Sequence, residues 1–540
     1  MEELFKDWIA AIAVLVYLLY PLLKRWLDRR NKTERPSTRK EPSEARAPRR
    51  KPAAASRPEP SSPTPTRPTP PRPATMPRAR EGDIIATTQV RAKRLREQAT
   101  ALLRRAEADP RLVRLVRALR DDLLGRLAII DRSLAGKPTV STVMQENAVI
   151  QGLQQLLKYL DRMAAQRLHG SASILGDADA MADACYAPLL AFANAHGLDL
   201  RTSTPVVVSG DWALSIVPRF ASTRVAPLRL PRGFGRSLWL WPAIAHEIAH
   251  DLYYSVDGFE TDLHERLNLP QRLSAPSSER EIDPAWLRQL FGAWLAEVFA
   301  DTVGTLMLGP AYVETMRRAF REPDSAHRTS AIFTSNGWID EHPPARLRLY
   351  MASRVLHHLG RHQEADSLWA LWEAEHAEVG LYYLPLAGQW VGLSDESLHA
   401  LADSIVDTLL GQSWPELADF QLMNIPGFAY LHAEHAETQR LRAELARGET
   451  VRADIRWIMA AAVLAASEQP VLHNSILDAA RRSIIGIGTE KRRAEEPKAV
   501  RPPTGAIGDT LVASLRQPRA IREAIILGEA IRPYHAPRWR

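Results

Sequence analysis

A single cysteine, Cys185, stands in 540 residues. One thiol can neither close an intrachain disulfide nor build a thiolate zinc cage, so a metal in this chain must be held by His, Asp or Glu. Cys185 itself reads as a small buried hydrophobe and not as a nucleophile. Such low cysteine usage fits a reducing compartment. Long apolar runs are equally scarce: one segment near the start approaches the length of a bilayer crossing, and from Pro284 onward no repeat period is detectable. Basic character is missing from the body of the chain. The net charge of +7 arises in residues 24 to 80, where 17 Lys or Arg face 5 acidic residues, while residues 81 to 540 carry −3. No nucleic-acid partner is therefore expected. The 45% apolar composition is enough for one large core or two ordinary ones.

What is present begins with Trp8 to Leu23, a run of 16 uncharged residues flanked by Trp8 and Trp26 as interface anchors. It follows Glu2, Glu3 and Asp7 and leads into Lys24 and Arg25, the reverse of a cleaved signal, so the reading is a retained membrane anchor. Lys24, Arg25, Arg29, Arg30 and Lys32 attract anionic headgroups and place the body on the cytoplasmic side. Residues 31 to 80 exchange large apolar side chains for Pro, Ser, Thr and Arg, which leaves too little burial to offset the entropy of folding. They read as a semi-extended stalk, rising about 3.1 Å per residue and reaching up to ~100 Å. PSSP and PTRP within it suit a Pro-binding domain, with a plain spacer as the simpler role.

From Glu81 to Gly197, ALLRRAEA, RLVRLVRALRDDLLGRLAII and VIQGLQQLLKYLDRMAAQRL repeat apolar residues at helical spacing. Residues 204 to 240 change character: TPVVVSG, WALSIVP and SLWLW are short β-prone runs. They predict a small sheet just before a helix starting near Trp241 or Pro242. From Pro284 to the end the pattern is again mainly helical, with KRRAEEPKAVRPPTG as a loop and a last short helix near Arg519 to Ala530.

The segment AIAHEIAHDLYY carries His246, Glu247 and His250. Residues four apart share one helix face, so both imidazoles can reach one zinc ion while Glu247 faces a water on it. Zinc would acidify that water and polarise a peptide carbonyl, with the carboxylate carrying the proton to the leaving amine. Ile244, Ala245, Ile248 and Ala249 favour a buried helix; Asp251 is an unusual charge directly after the second His. Further on, GAWLAEVFADTVGTLMLGP supplies Glu297 and, four residues later, Asp301. Gly292, Ala293, Ala296, Ala300 and Gly304 on this helix would permit close approach to the first metal helix. A solvated carboxylate pair on an amphipathic helix is the plain alternative.

A third ligand His six residues after His250 is absent, that position being Val256. The arrangement instead resembles the gluzincin class of zinc metallopeptidases. That resemblance implies Glu297 as third ligand and Asp301 as the acid that fixes a ligand imidazole's tautomer. DEHPPARLRLY at 340 to 350 is similar to the His-Pro-Pro-x-x-x-Arg segment of the CAAX-prenyl-protease and heat-shock-protease type, and it would set Arg348 beside the cleft without contact to the metal. The matching motifs span about residues 240 to 350.

A peptidase also needs a donor for the oxyanion. His342 is the first candidate, with Tyr253, Tyr254 and His264 behind it. His264 sits among Asp257, Glu260, Asp262 and Glu265, an acidic stretch that reads as a solvated loop or a second cation site. His357, His358, His362, His432 and His435 read as surface.

The expected fold is mainly α with a small β-sheet before the metal helix, an α+β, zincin-like catalytic core with helical flanks. Its parts are an anchor and basic flank (1 to 30), a stalk (31 to 80), a helical region (81 to 200), the metallopeptidase core (201 to 350), a helical region (351 to 480) and a basic tail (481 to 540). The expected function is that of a membrane-tethered Zn2+ peptidase acting on a peptide or protein, with no oligomeric state indicated. The competing reading is a membrane-anchored helical scaffold whose metal site is inactive or structural.

Overall fold

Apolar side chains recurring every three or four residues from Glu81 to His196 fold as four helices: α1 (Glu81–Glu107), α2 (Val113–Ser133), α3 (Val140–Leu168) and α4 (Ala172–His196). The computed structural model describes residues 81 to 494 apart from short internal segments, the longest being 217 to 224 and 321 to 330. The anchor expected in residues 1 to 30, the stalk in 31 to 80 and the last helix near Arg519 to Ala530 lie outside the described residues. Helices α1 to α3 close on one apolar cluster that includes Leu95, Leu127, Ile130, Leu153 and Leu160. Helix α4 turns to a second, larger core through Leu175, Met181, Cys185 and Leu189. Cys185 is fully buried there, and burial pushes its thiol up to about 12.

Between the two cores runs a three-stranded sheet, β1 (Thr204–Asp211), β2 (Ser215–Ile216) and β3 (Val225–Pro231), in the order β1-β3-β2. Strand β1 is parallel to β3, and β2 is antiparallel to it at the edge. The period of two along a strand sorts TPVVVSG: Val206 and Val208 enter the α1–α3 cluster, and Val207 enters the main core. Apolar residues at consecutive positions are what a strand covered on both faces requires. Buried Arg167 on α3 bonds Asp179 on α4 and donates to the Val207 carbonyl at 2.8 Å, so one guanidinium ties bundle, sheet and main core together.

Two local expectations are corrected. SLWLW does not extend the sheet; Leu238–Leu240 is a 3-10 turn that leads into the helix of His246 and His250, because Leu238 and Trp241 are drawn into the core. VAPLRLP, within the stretch expected to form the sheet, is its central strand. In the region read as helical, LYYLPL and QWVGLS form an antiparallel hairpin (Leu381–Leu386 with Gln389–Ser394), in which Tyr382 and Leu384 alternate into the core.

The remaining elements are α5 (Ala243–Ser255), α6 (Phe259–Arg266), α7 (Pro284–Leu308), α8 (Pro310–Ala319), α9 (Ala345–His358), α10 (His362–His376), α11 (Asp395–Gly411), α12 (His432–Ala446), α13 (Ile455–Glu468) and α14 (His473–Ala494). Helix α14 continues four residues into the stretch expected to be loop. Helix α7 is capped by Asp283, which accepts the Trp286 N–H at 2.7 Å, with Pro284 in its first turn. By length and composition α7 is long and apolar enough to cross a membrane, and 89% of its most apolar window is buried inside the fold. A helix apolar all round is what a core centre needs. The fold is mainly helical with small sheets, and one apolar core draws on residues from Leu175 to Ile484.

Candidate metal centre

Helix α5 is buried along Ile244, Ala245, Ile248, Ala249 and Leu252, and this fixes its rotation. Its other face presents His246 and His250, one turn apart, with Nε2 atoms 3.0 Å from each other and ring planes perpendicular. Helix α7 packs against α5 and supplies Glu297. Its Oε1 lies 3.1 Å from His250 Nε2, and its Oε2 lies 3.5 Å from His246 Nε2. One ligand atom from each of the three lies within 4.8 Å of the others, and among the described residues no other group of three His, Cys, Asp or Glu does so.

One turn further along α7, Asp301 reaches the back of the same imidazole, with Oδ1 3.0 Å from His246 Nδ1. Arg348, from α9, grips Asp301 with two bonds, Nε to Oδ2 at 2.7 Å and Nη2 to Oδ1 at 2.9 Å. Its Nη2 is also 3.2 Å from Glu297 Oε2, an ion-pair distance without hydrogen-bond alignment, so that buried oxygen has no hydrogen-bond donor. His342 lies on the solvent side of the cluster, 52% exposed, with Nε2 3.5 Å from Glu297 Oε1. Glu247 is buried beside them, and its Oε2 accepts the Ile216 N–H of edge strand β2 at 2.7 Å.

The electrostatics suit a cation. Burial raises the Glu297 carboxyl, but the His246 and His250 imidazoles beside it prevail and hold it well below the usual range. For Asp301, burial is likewise outweighed, here by the Arg348 charge, and the value falls to about 2. Burial lowers His246, yet the Asp301 and Glu297 carboxylates beside it bring it up to about 10. Two buried carboxylates thus demand positive charge at the imidazoles, which a divalent cation would supply. The unpartnered Glu297 oxygen, the two facing Nε2 atoms and the carboxylate behind His246 fit such an ion.

Other expectations fare differently. His264 is buried in α6 instead of lying in a solvated loop, its Nδ1 2.9 Å from the Leu269 carbonyl oxygen and its Nε2 3.5 Å from the Tyr253 hydroxyl. Tyr253 is packed edge-on against Tyr254 and tilted against Phe299 in the core. No metal-ligating group among the described residues forms around Asp257, Glu260, Asp262 and Glu265. The small residues of α7 do not all face α5. A Cβ at Gly292 would meet the Pro270 carbonyl oxygen at 2.1 Å, and one at Gly304 would meet the Tyr312 ring at 2.7 Å. Asp251, the unusual charge, is fully buried and accepts from the Tyr186 hydroxyl of α4 and from Ser255 Oγ at 3.3 Å, so it braces α5 from behind.

Sequence reasoning missed Tyr312. Its hydroxyl donates to Asp301 Oδ1 at 2.7 Å and stands 3.1 Å from His246 Nδ1. The one signal in the sequence was Gly304, since a helix-interior glycine costs about 1 kcal/mol relative to alanine and so marks a close approach. What approaches is not written there. Comparison of the chain with protein-family models, with curated proteins and with solved structures returns no match.

Proposed function

We propose that the protein is a zinc-dependent peptidase with a zincin-like, gluzincin-type core, tethered to a membrane through residues 1 to 30, with its body on the cytoplasmic side and a peptide or protein as substrate. The observation that carries this reading is the convergence of His246, His250 and Glu297 with Glu247 on the same helix turn as the two imidazoles. These three side chains would hold the ion, and nitrogen and carboxylate donors without sulfur suit zinc in an open, catalytic site. A bound zinc ion supplies Lewis acidity, which lowers the pKa of a water and polarises a carbonyl.

Glu247 takes a proton from the attacking water and passes it to the departing amine. Its Oε2 is held by the Ile216 backbone, so the carboxylate is pre-oriented. His342, exposed beside Glu297, is the candidate donor to the developing oxyanion. Asp301 and Arg348 keep His246 and Glu297 in position. A merely structural metal site has no use for a general base, which favours the enzyme over the scaffold. Glu247→Gln is the test. The variant should retain zinc, because the side chain is not a ligand, and lose about 10²- to 10⁴-fold in peptide turnover. Unchanged turnover would overturn the mechanism, and zinc-loaded wild type that cleaves no member of a peptide library would favour the scaffold.

A further inference from the structure

We propose that Tyr312 is a positioning residue for the metal centre, holding the His246 ring in one tautomer and one orientation together with Asp301. The inference rests on the reading of His246, His250 and Glu297 as metal ligands. Helix α7 ends at Gly309, whose φ of +57° turns the chain, and Pro310 starts α8 at once. That tight corner folds α8 back on α7, so Tyr312 meets Asp301 and lies over Gly304, where a Cβ would stand 2.7 Å from its ring.

The Tyr312 side chain is buried, and a phenylalanine would fill the same space without a polar atom to satisfy. Its hydroxyl instead has one definite pair of partners. The O–H donates to Asp301 Oδ1 at 2.7 Å, which leaves the phenol oxygen as acceptor 3.1 Å from His246 Nδ1, and Asp301 Oδ1 lies 3.0 Å from the same nitrogen. The Nδ1–H is thus shared between two acceptors that are bonded to each other. A proton on Nδ1 leaves the Nε2 lone pair free, and Nε2 is the atom that faces Glu297 and His250. With Asp301 alone the ring could swing about a single contact. Arg348 holds Asp301 from its other side and Tyr312 closes the frame.

The test uses the purified full-length chain, with Zn2+ and Co2+ affinities measured by competition against a chelator. Tyr312→Phe keeps the ring and should weaken affinity about tenfold, within the ~10- to 100-fold range typical of partners behind a metal ligand, and it should shift the visible absorption bands of the Co2+ form. Tyr430→Phe, which removes a buried hydroxyl bonded elsewhere, to His435, should change neither. Gly304→Ala should reproduce the loss without touching any polar group, because its Cβ displaces the ring. Affinity and spectrum unchanged in Tyr312→Phe, beside a wild type that binds tightly, would overturn this role alone. A wild type that binds neither ion would overturn the metal-site reading and the role of Tyr312 with it.

Discussion

Replacing Arg348 with methionine separates the electrostatic account of the site from simple packing. Methionine approximates the aliphatic stem and deletes the charge. The arginine side chain is 10% exposed and Asp301 is 3% exposed, so the deletion leaves an ionised carboxylate in the interior without its guanidinium. Two charge-assisted bonds, at 2.7 and 2.9 Å, disappear, and Glu297 loses a cation 3.2 Å away. Breaking a buried pair from one side typically costs about 3–5 kcal/mol. Tyr312 and His246 still reach Asp301, so the lower figure applies, about 3 kcal/mol. In urea, with a metal chelator present and a slope of about 3 kcal/mol/M, the unfolding midpoint should fall by about 1 M. Adding Asp301→Asn to Arg348→Met should recover about 2 kcal/mol relative to the sum of the single losses, because the stranded charge is gone. A loss below about 1 kcal/mol, or strict additivity in the double variant, would refute the argument that this pair governs the site.

Zinc content should be about one per chain, and Glu297→Ala should lose most of it as expected of a three-ligand site; full retention would move the third ligand elsewhere. A reporter fused after residue 80 should be cytoplasmic, since the basic residues follow the apolar run, and a signal from the opposite side would reverse the proposed topology. His399 is stacked 3.6 Å from Tyr350 and bonded to the Tyr382 hydroxyl at 2.8 Å; burial lowers it from 6.5 to about 4. The unfolded chain therefore takes up this proton first as pH falls, so its contribution is complete above pH 6.5 and is lost between 6.5 and 4. Discounted for partial exposure, that contribution is about 1–2 kcal/mol. A melting-temperature gap between wild type and His399→Phe that stays constant from pH 7 to 4.5 would contradict it. Asp283→Ala should cost about 1 kcal/mol through the lost cap of α7, and an unchanged unfolding midpoint would show the cap to be idle.

Local chemistry was legible in the sequence wherever it depends on a period. The spacing of His246 and His250 puts both rings on one helix face, because residues four apart on an α-helix stand nearly above each other. The same reasoning made Glu297 and Asp301 neighbours on α7, and the three- and four-residue repeats announced the helices of 81 to 196. Periods also misled. Tyr382 and Leu384 alternate in a hairpin inside an otherwise helical stretch. Acidic neighbours made His264 look solvated, although the Leu269 carbonyl and Tyr253 satisfy it in the core.

What only the tertiary structure decided is which faces meet. Glu297 lies 47 residues beyond His250, and no local rule states that α7 packs on α5 in the register that brings its carboxylate to 3.1 Å from that ring. Tyr312 is the sharper case. It belongs to no motif, and its role arises from a glycine corner, a second glycine that makes room, and an aspartate held by an arginine from a third helix. Each of those residues has an ordinary use elsewhere. Their meaning comes from side-chain volumes and hydrogen-bond directions at the crossing of three helices, set by the packing of the whole core and not by any stretch of chain that can be read alone.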